Sequence, residues 1–330
     1  MKTNQKQVLS YFEQAVHQRL PYWLFWPAQG LFFFVCSEII IRYFAEQYML
    51  ITRLIFAACV GIFPIIIIVL SHTFRPTMVG LSSVVWNNSS EFDIWCSKKE
   101  AVIFSVKTKR SKLINAIFVI GGIATIMVLG WPLKNPVANL LGLLGFIYIL
   151  RICSLGGVAL TELILTLYEI RKMDVHVPFF RLPHPAFIQM QNYYSSTALF
   201  ITGSYVLLVL AIWQSPYGLT TIMLVWLAIL SFYPFGLFAW STFQIHQLIQ
   251  KVKQEHLDLA NGRVQSALKK AVEKDDSKAY EQLEKAMGLQ AQVQKLPEWI
   301  IEPSGMITFL VTITTAIGQT VLAVITAINP

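Results

Sequence analysis

Apolar residues in this chain run in unbroken blocks long enough to cross a bilayer, separated by short polar stretches. Seven blocks stand out: 22–41, 51–71, 113–131, 137–168, 196–213, 218–244 and 304–328. A span takes about 20 apolar residues, so each block predicts a transmembrane helix. The expected fold is an all-α, polytopic bundle of seven such helices. The polar intervals divide it into an N-terminal interfacial amphipathic helix (1–21), a six-helix transmembrane region (22–244), a cytoplasmic helical hairpin (245–297) and the seventh span (298–330). The first 20 residues carry no apolar core followed by a small-residue cleavage site, so the first span is expected to be its own insertion signal.

Within 245–297, Ile245, Leu248, Ile249, Val252, Leu259, Val264, Leu268 and Ala271 recur at mostly helical intervals, with Gly262 weakening the middle. "EKDDS" then punctuates the chain, and Asp276 or Ser277 is the expected N-cap of a returning helix that carries Tyr280, Leu283, Met287 and Val293. A lone hairpin cannot bury both of its apolar stripes. It is expected to pack on the inner ends of the spans or on the same hairpin of other subunits.

Composition supports the membrane reading, because 55% of residues are hydrophobic and only 13% charged, whereas soluble domains carry roughly 25% charged residues. Charge also orients the bundle. With the N-terminus inside, 22 of the 26 Lys and Arg residues fall in cytoplasmic segments, leaving only Arg42, Arg53 and Lys134 outside and Arg151 within a span. The positive-inside rule therefore gives an inside N-terminus and an outside C-terminus. The net charge of +8 then calls for no nucleic-acid partner. Lys107, Lys109, Arg110 and Lys112 directly precede the third span, where such residues hold topology and also offer a contact for anionic lipid.

Other chemistry is sparse. Cys36, Cys59 and Cys153 lie in spans and Cys96 in an inside loop, so neither disulfides nor metal-ligand spacing is expected. The sequons at Asn87 and Asn88 fall on the inside and read as chance. Glu38 and Arg42, four residues apart at the outer end of the first span, form a candidate interface pair. Arg151 is an intramembrane charge about 21 Å from the outer edge of the fourth span, and Glu162, on the same helix face, is expected at or beyond the inner headgroups. "HVPFFRLPHPAF" (176–187) reads as an interfacial elbow formed by Phe179, Phe180, Arg181 and Phe187, and its His176 and His184 have no recognised metal spacing. No prenyl-transferase Asp pair, zinc-protease motif, phosphate loop or nucleophile elbow occurs. The carboxylates of "EFD" (91–93) and "EKDD" (273–276) read as solvated loop charges. Neither catalysis nor a cofactor is expected, and an odd span count without internal repeats is unlike a secondary transporter.

The last block is the informative one. Thr308, Thr312, Thr315, Gln319 and Thr326 fall within an arc of about 60° at 100° per residue, while Thr314 and Thr320 fall outside it. A Gln amide facing lipid would go unsatisfied, so this uncharged polar stripe faces protein or water. Helix packing is one reading, and a pore lining that offers hydroxyl and amide groups to hydrated ions is the other.

In layout the chain resembles the insect odorant and gustatory receptor-like channels: seven spans, an inside N-terminus, a helical unit between the sixth and seventh spans, and a mildly polar last helix. That resemblance implies a tetramer anchored by the inner helices, with the ion path along the last one. The family's terminal motif places Thr-Tyr, five apolar residues and Gln-Phe in series, whereas here Thr308-Phe309 is separated by nine residues from Gln319-Thr320. The expected function is a homo-oligomeric ion channel whose hairpin assembles subunits. The alternative is a non-conducting scaffold or sensor that recruits a cytoplasmic partner through the hairpin.

Overall fold

The computed structural model describes residues 21–44, 50–86, 89–104, 108–130, 135–175, 184–213, 220–274 and 277–298, together with Phe12, Val177, Thr314 and Gly318. All regular structure among them is helical. In order these helices are α1 (Tyr22–Tyr43), α2 (Leu50–Val85), α3 (Ser89–Phe104), α4 (Lys109–Leu129), α5 (Pro136–Lys172), α6 (Pro185–Trp213) and α7 (Thr221–Phe235). A π-helical turn (Gly236–Trp240) carries α7 into α8 (Ser241–Lys274), and α9 (Ser277–Gln294) follows. Among the described residues, five stretches are long and apolar enough to cross a membrane: Tyr22–Tyr43, Arg53–Val85, Ser89–Val128, Pro136–Lys172 and Leu224–Glu273.

Helix ends follow local chemistry. Asn135 accepts hydrogen bonds from the backbone N–H groups of Val137 (2.9 Å) and Ala138 (3.4 Å), and Pro136 occupies the first helical position, where no N–H is required. Thr108 caps α4 by accepting from the Ser111 N–H at 3.0 Å. Gly130, at φ +80°, ends the same helix with its N–H on the Ile126 carbonyl.

Six of the seven apolar blocks fall on described helices, and the seventh lies outside the described residues. Two boundaries differ from expectation. The second span does not stop at residue 71, because α2 runs on to Val85. Although His72, Thr73, Arg75 and Thr77 are polar, Phe74, Met78 and Leu81 keep the helical spacing and are fully buried. The polar loop expected next is mostly α3, which buries Phe92, Cys96 and Ile103 along one face.

The core forms where α2, α5, α6 and the first turns of α8 meet, around Ile68, Phe74, Leu163, Tyr194, Phe187 and Ile249. Phe187 therefore sits inside the bundle rather than in an interfacial elbow. Phe179, Phe180 and Arg181 lie outside the described residues. Tyr193 and Tyr194 donate to the backbone carbonyls of Leu70 and Leu163, each at 3.0 Å, tying α6 to α2 and α5.

Helices α8 and α9 form the expected hairpin, closed over Ala260, Ala271, Ala279 and Val293. It rests on the bundle rather than standing clear of it. Lys253, 8% exposed, donates to the Gln294 carbonyl (2.9 Å), the Leu296 carbonyl (3.0 Å) and the Glu298 carboxylate (2.9 Å), satisfying acceptors that the end of α9 leaves open.

The hydrogen bond from Lys253, reinforced by one from Gln250, lowers the pKa of Glu298. A carboxyl lowered on folding stabilises the fold above its unfolded pKa, and that contribution fades as pH falls through the lowered folded value. Glu298 is well exposed, so the effect is small. Acidification below the ordinary carboxylate range should lower the wild-type thermal midpoint slightly more than that of Glu298→Gln. Parallel pH profiles for the two proteins would show that the contact contributes nothing.

Candidate functional site

Among the described residues the charged side chains of the bundle gather at its two ends, Arg151 on α5 excepted. At the end away from the hairpin, Arg42 Nε donates to Glu38 Oε1 at 2.7 Å, and Arg53 reaches across from α2 to the other carboxylate oxygen. The Glu38–Arg42 pair expected along α1 thus supplies two members of a three-residue cluster. Arg53 is its buried member, with a side chain 10% exposed against 81% for Arg42.

At the hairpin end Arg75 is held on three sides by α3. Its Nε and Nη2 donate to the two oxygens of Glu100, each at 3.0 Å, while Nη1 reaches Asp93 Oδ1 at 3.1 Å and Nη2 also reaches Ser97 Oγ at 2.7 Å. The fork-to-fork geometry is the strongest arrangement available to these groups, and Glu100 is only 2% exposed. Asp93 is therefore a structural ion-pair partner and not a solvated loop charge. Lys99 pairs with Glu169, and Arg110 Nη1 with Glu162 Oε1 at 2.9 Å, fastening α3 and α4 to α5. Glu162 is buried at 5% exposure, so it is a packed partner rather than a solvated end charge. Arg53 and Arg75 are 22 residues apart on one helix, which puts the two charged planes roughly 33 Å apart at 1.5 Å per residue.

Between these planes polar groups meet in pairs. Gln29 donates to the Tyr148 hydroxyl (2.5 Å), Ser154 to Asn115 Oδ1 (2.7 Å), Trp226 Nε1 to Thr125 (2.7 Å) and Gln191 to Thr242 (3.2 Å). Large apolar side chains cover the outside at these depths: Phe32 and Ile39 on α1, Ile120 and Met127 on α4, Leu144 on α5, Phe200 on α6 and Phe232 on α7.

No family model, curated protein or solved structure matches the chain.

Of the residues singled out by sequence, Arg151 is exposed on α5, about 22 Å along the helix from Pro136, and its carbonyl, 2.8 Å from Ser154 Oγ, is an alternative acceptor to Asn115 for that hydroxyl's one proton. Glu162 is eleven residues further on but buried, so the two do not form one functional face. Lys109 and Lys112 are exposed, Arg110 is committed to Glu162, and Lys107 lies outside the described residues. The stripe residues Thr308, Thr312, Thr315, Gln319 and Thr326 also lie outside them.

Sequence reasoning missed the Arg75 cluster, although a signal was present. Asp93, Ser97 and Glu100 at positions i, i+4 and i+7 share one helix face, beside an apolar face made by Phe92, Cys96 and Ile103.

Proposed function

We propose that the chain is a multi-pass membrane protein that assembles into a homo-oligomeric ion channel. In this reading the N-terminus and hairpin are cytoplasmic, the last segment lines the ion path, and the hairpin joins subunits. Support for membrane placement comes from the two charged planes. Their separation of roughly 33 Å matches a hydrocarbon core of about 30 Å, and the surface between them carries large apolar side chains, with Arg151 the exposed charge among the described residues there. The observation that carries the channel reading is the uncharged polar stripe from Thr308 to Thr326. Polar groups of the described bundle largely satisfy one another in local pairs, whereas this stripe spans the whole last segment and needs a partner of its own.

One observation also favours the scaffold reading. Leu268 and Val272 on α8, with Tyr280 and Met287 on α9, are large, apolar and exposed, so the hairpin offers a surface either to sister subunits or to another protein. Ion flux from proteoliposomes separates the two. A channel predicts that Thr315→Val with Gln319→Leu changes flux by about tenfold or more at unchanged oligomer size, because polar groups facing the path are lost. Leu268→Glu with Met287→Glu should dissociate the oligomer and abolish flux with it. Flux indifferent to the stripe variant would remove the last segment from the path and leave the scaffold.

A further inference from the structure

At the hairpin end, the end of α5 and one face of α8 border an open cleft of about 600 Å³. Its lining is cationic and rich in amides: Arg171, Lys251, Lys253, Gln247 and Gln254 face it, with Glu298 at one side. Three of its charged groups are accounted for. Lys253 and Glu298 neutralise each other at 2.9 Å, and Lys251 reaches the Met173 carbonyl (3.3 Å) and the highly exposed Asp174 (3.4 Å) in a loose pair.

Arg171 is different. Other half-buried cations at this end meet carboxylates: Arg75 with Glu100, Lys99 with Glu169, Lys253 with Glu298. Arg171 donates instead to a neutral amide, Gln244 Oε1 at 3.2 Å, and a guanidinium has five N–H donors in all. A second observation concerns the amides around it. Gln244, 1% exposed, has a buried Nε2 without a hydrogen-bond partner, and the buried Oε1 of Gln247, a lining residue, also has none. A buried amide group left unpaired is destabilising, and the orientation of a Gln amide is interchangeable, so Gln247 can turn its NH2 toward a ligand.

We propose that this cleft binds a phosphate-bearing anion, gripped by the Arg171 guanidinium and Lys251 ammonium and bonded by the Gln247 and Gln254 amides. The volume lies within the range of small-molecule sites, and a planar guanidinium beside an ammonium is the chemistry that recognises phosphate. Arg171 is two residues beyond Glu169, so in the proposed orientation the cleft opens at the level of the inner headgroups. An anionic phospholipid and a soluble phosphate share the recognised group, and both approach from there. Because α5 and α8 form the walls, an occupant would fasten the hairpin to the bundle. The proposal needs the inner placement of the hairpin but not ion conduction.

The test uses the full chain in nanodiscs of neutral phosphatidylcholine at fixed ionic strength, with thermal stability as the readout. Either phosphatidic acid is added to the disc or inorganic phosphate to the buffer. The expected result is saturable stabilisation of the wild type by at least one of them. Its apparent affinity should fall about tenfold or more in Arg171→Gln with Lys251→Gln, the loss of two charge-assisted contacts, and should not change in Lys112→Gln, an exposed cation away from the cleft. Stabilisation by phosphatidic acid alone assigns the site to lipid, and stabilisation by inorganic phosphate assigns it to a soluble anion. Lys251→Gln alone, which removes only a loose surface pair, provides the same comparison should the double variant not fold. No saturable stabilisation by either ligand, or equal affinity in the wild type and the cleft variants, would overturn the proposal.

Discussion

Replacing Arg75 with Met is expected to destabilise the protein by about 3–5 kcal/mol, the usual cost of removing one partner from a buried ion pair. The reason is the environment of Glu100. Its carboxylate is 2% exposed and takes both oxygens' bonds from the Arg75 guanidinium, so the variant leaves a negative charge in the bundle without its forked donor. Asp93 and Ser97 lose contacts to the same side chain. The double variant Arg75→Met, Glu100→Met should recover most of the loss, since apolar replacement of a whole buried pair is often close to neutral. Thermal midpoints of the wild type, both single variants and the double variant measure this directly. A double variant no more stable than Arg75→Met would mean that α3 is held by something other than the pair.

The second large effect concerns the crossing of α1 and α2. A Cβ built on Gly30 would lie 2.6 Å from the Ala57 carbonyl oxygen and 3.2 Å from the Gly61 Cα. Both are backbone atoms, so relief requires the helices to move apart. Close contact through small residues is how membrane helices gain packing when lipid is as apolar as their side chains. Gly30→Ala should cost about 1–3 kcal/mol, the usual range for overpacking, and Gly30→Leu more. Gly142 on α5 provides the contrast, since a Cβ there would have nothing within 4 Å. Gly142→Ala should be neutral or stabilising by up to about 1 kcal/mol through helix propensity. Equal losses at the two glycines would contradict the crossing.

These two sites show what the sequence does and does not reveal. The helices α1, α4 and α5 were legible because an apolar block carries its own length, and the hairpin because its periodicity changes to an amphipathic one. The Gly30–Gly61 contact was not legible, since a glycine in an apolar run looks the same whether it touches a helix or lipid. The extension of α2 and the whole of α3 were hidden for a related reason. Arg75, Asp93 and Glu100 are charged, and charge in a chain of this type reads as loop until the partner is known. Only the fold shows that Arg75 on one helix bonds to two carboxylates on the next. In sequence Arg171 likewise reads as one more cytoplasmic charge, because its neutral partner, Gln244, is 73 residues away.

We propose above that copies of the chain conduct ions along the last segment. Single-channel recording of the purified protein in planar bilayers tests it most directly, comparing the wild type with Thr315→Val, Gln319→Leu at equal oligomeric size. Discrete currents whose unitary amplitude changes in the variant are expected. Discrete currents of unchanged amplitude, or silence at all voltages from intact oligomer, would contradict it.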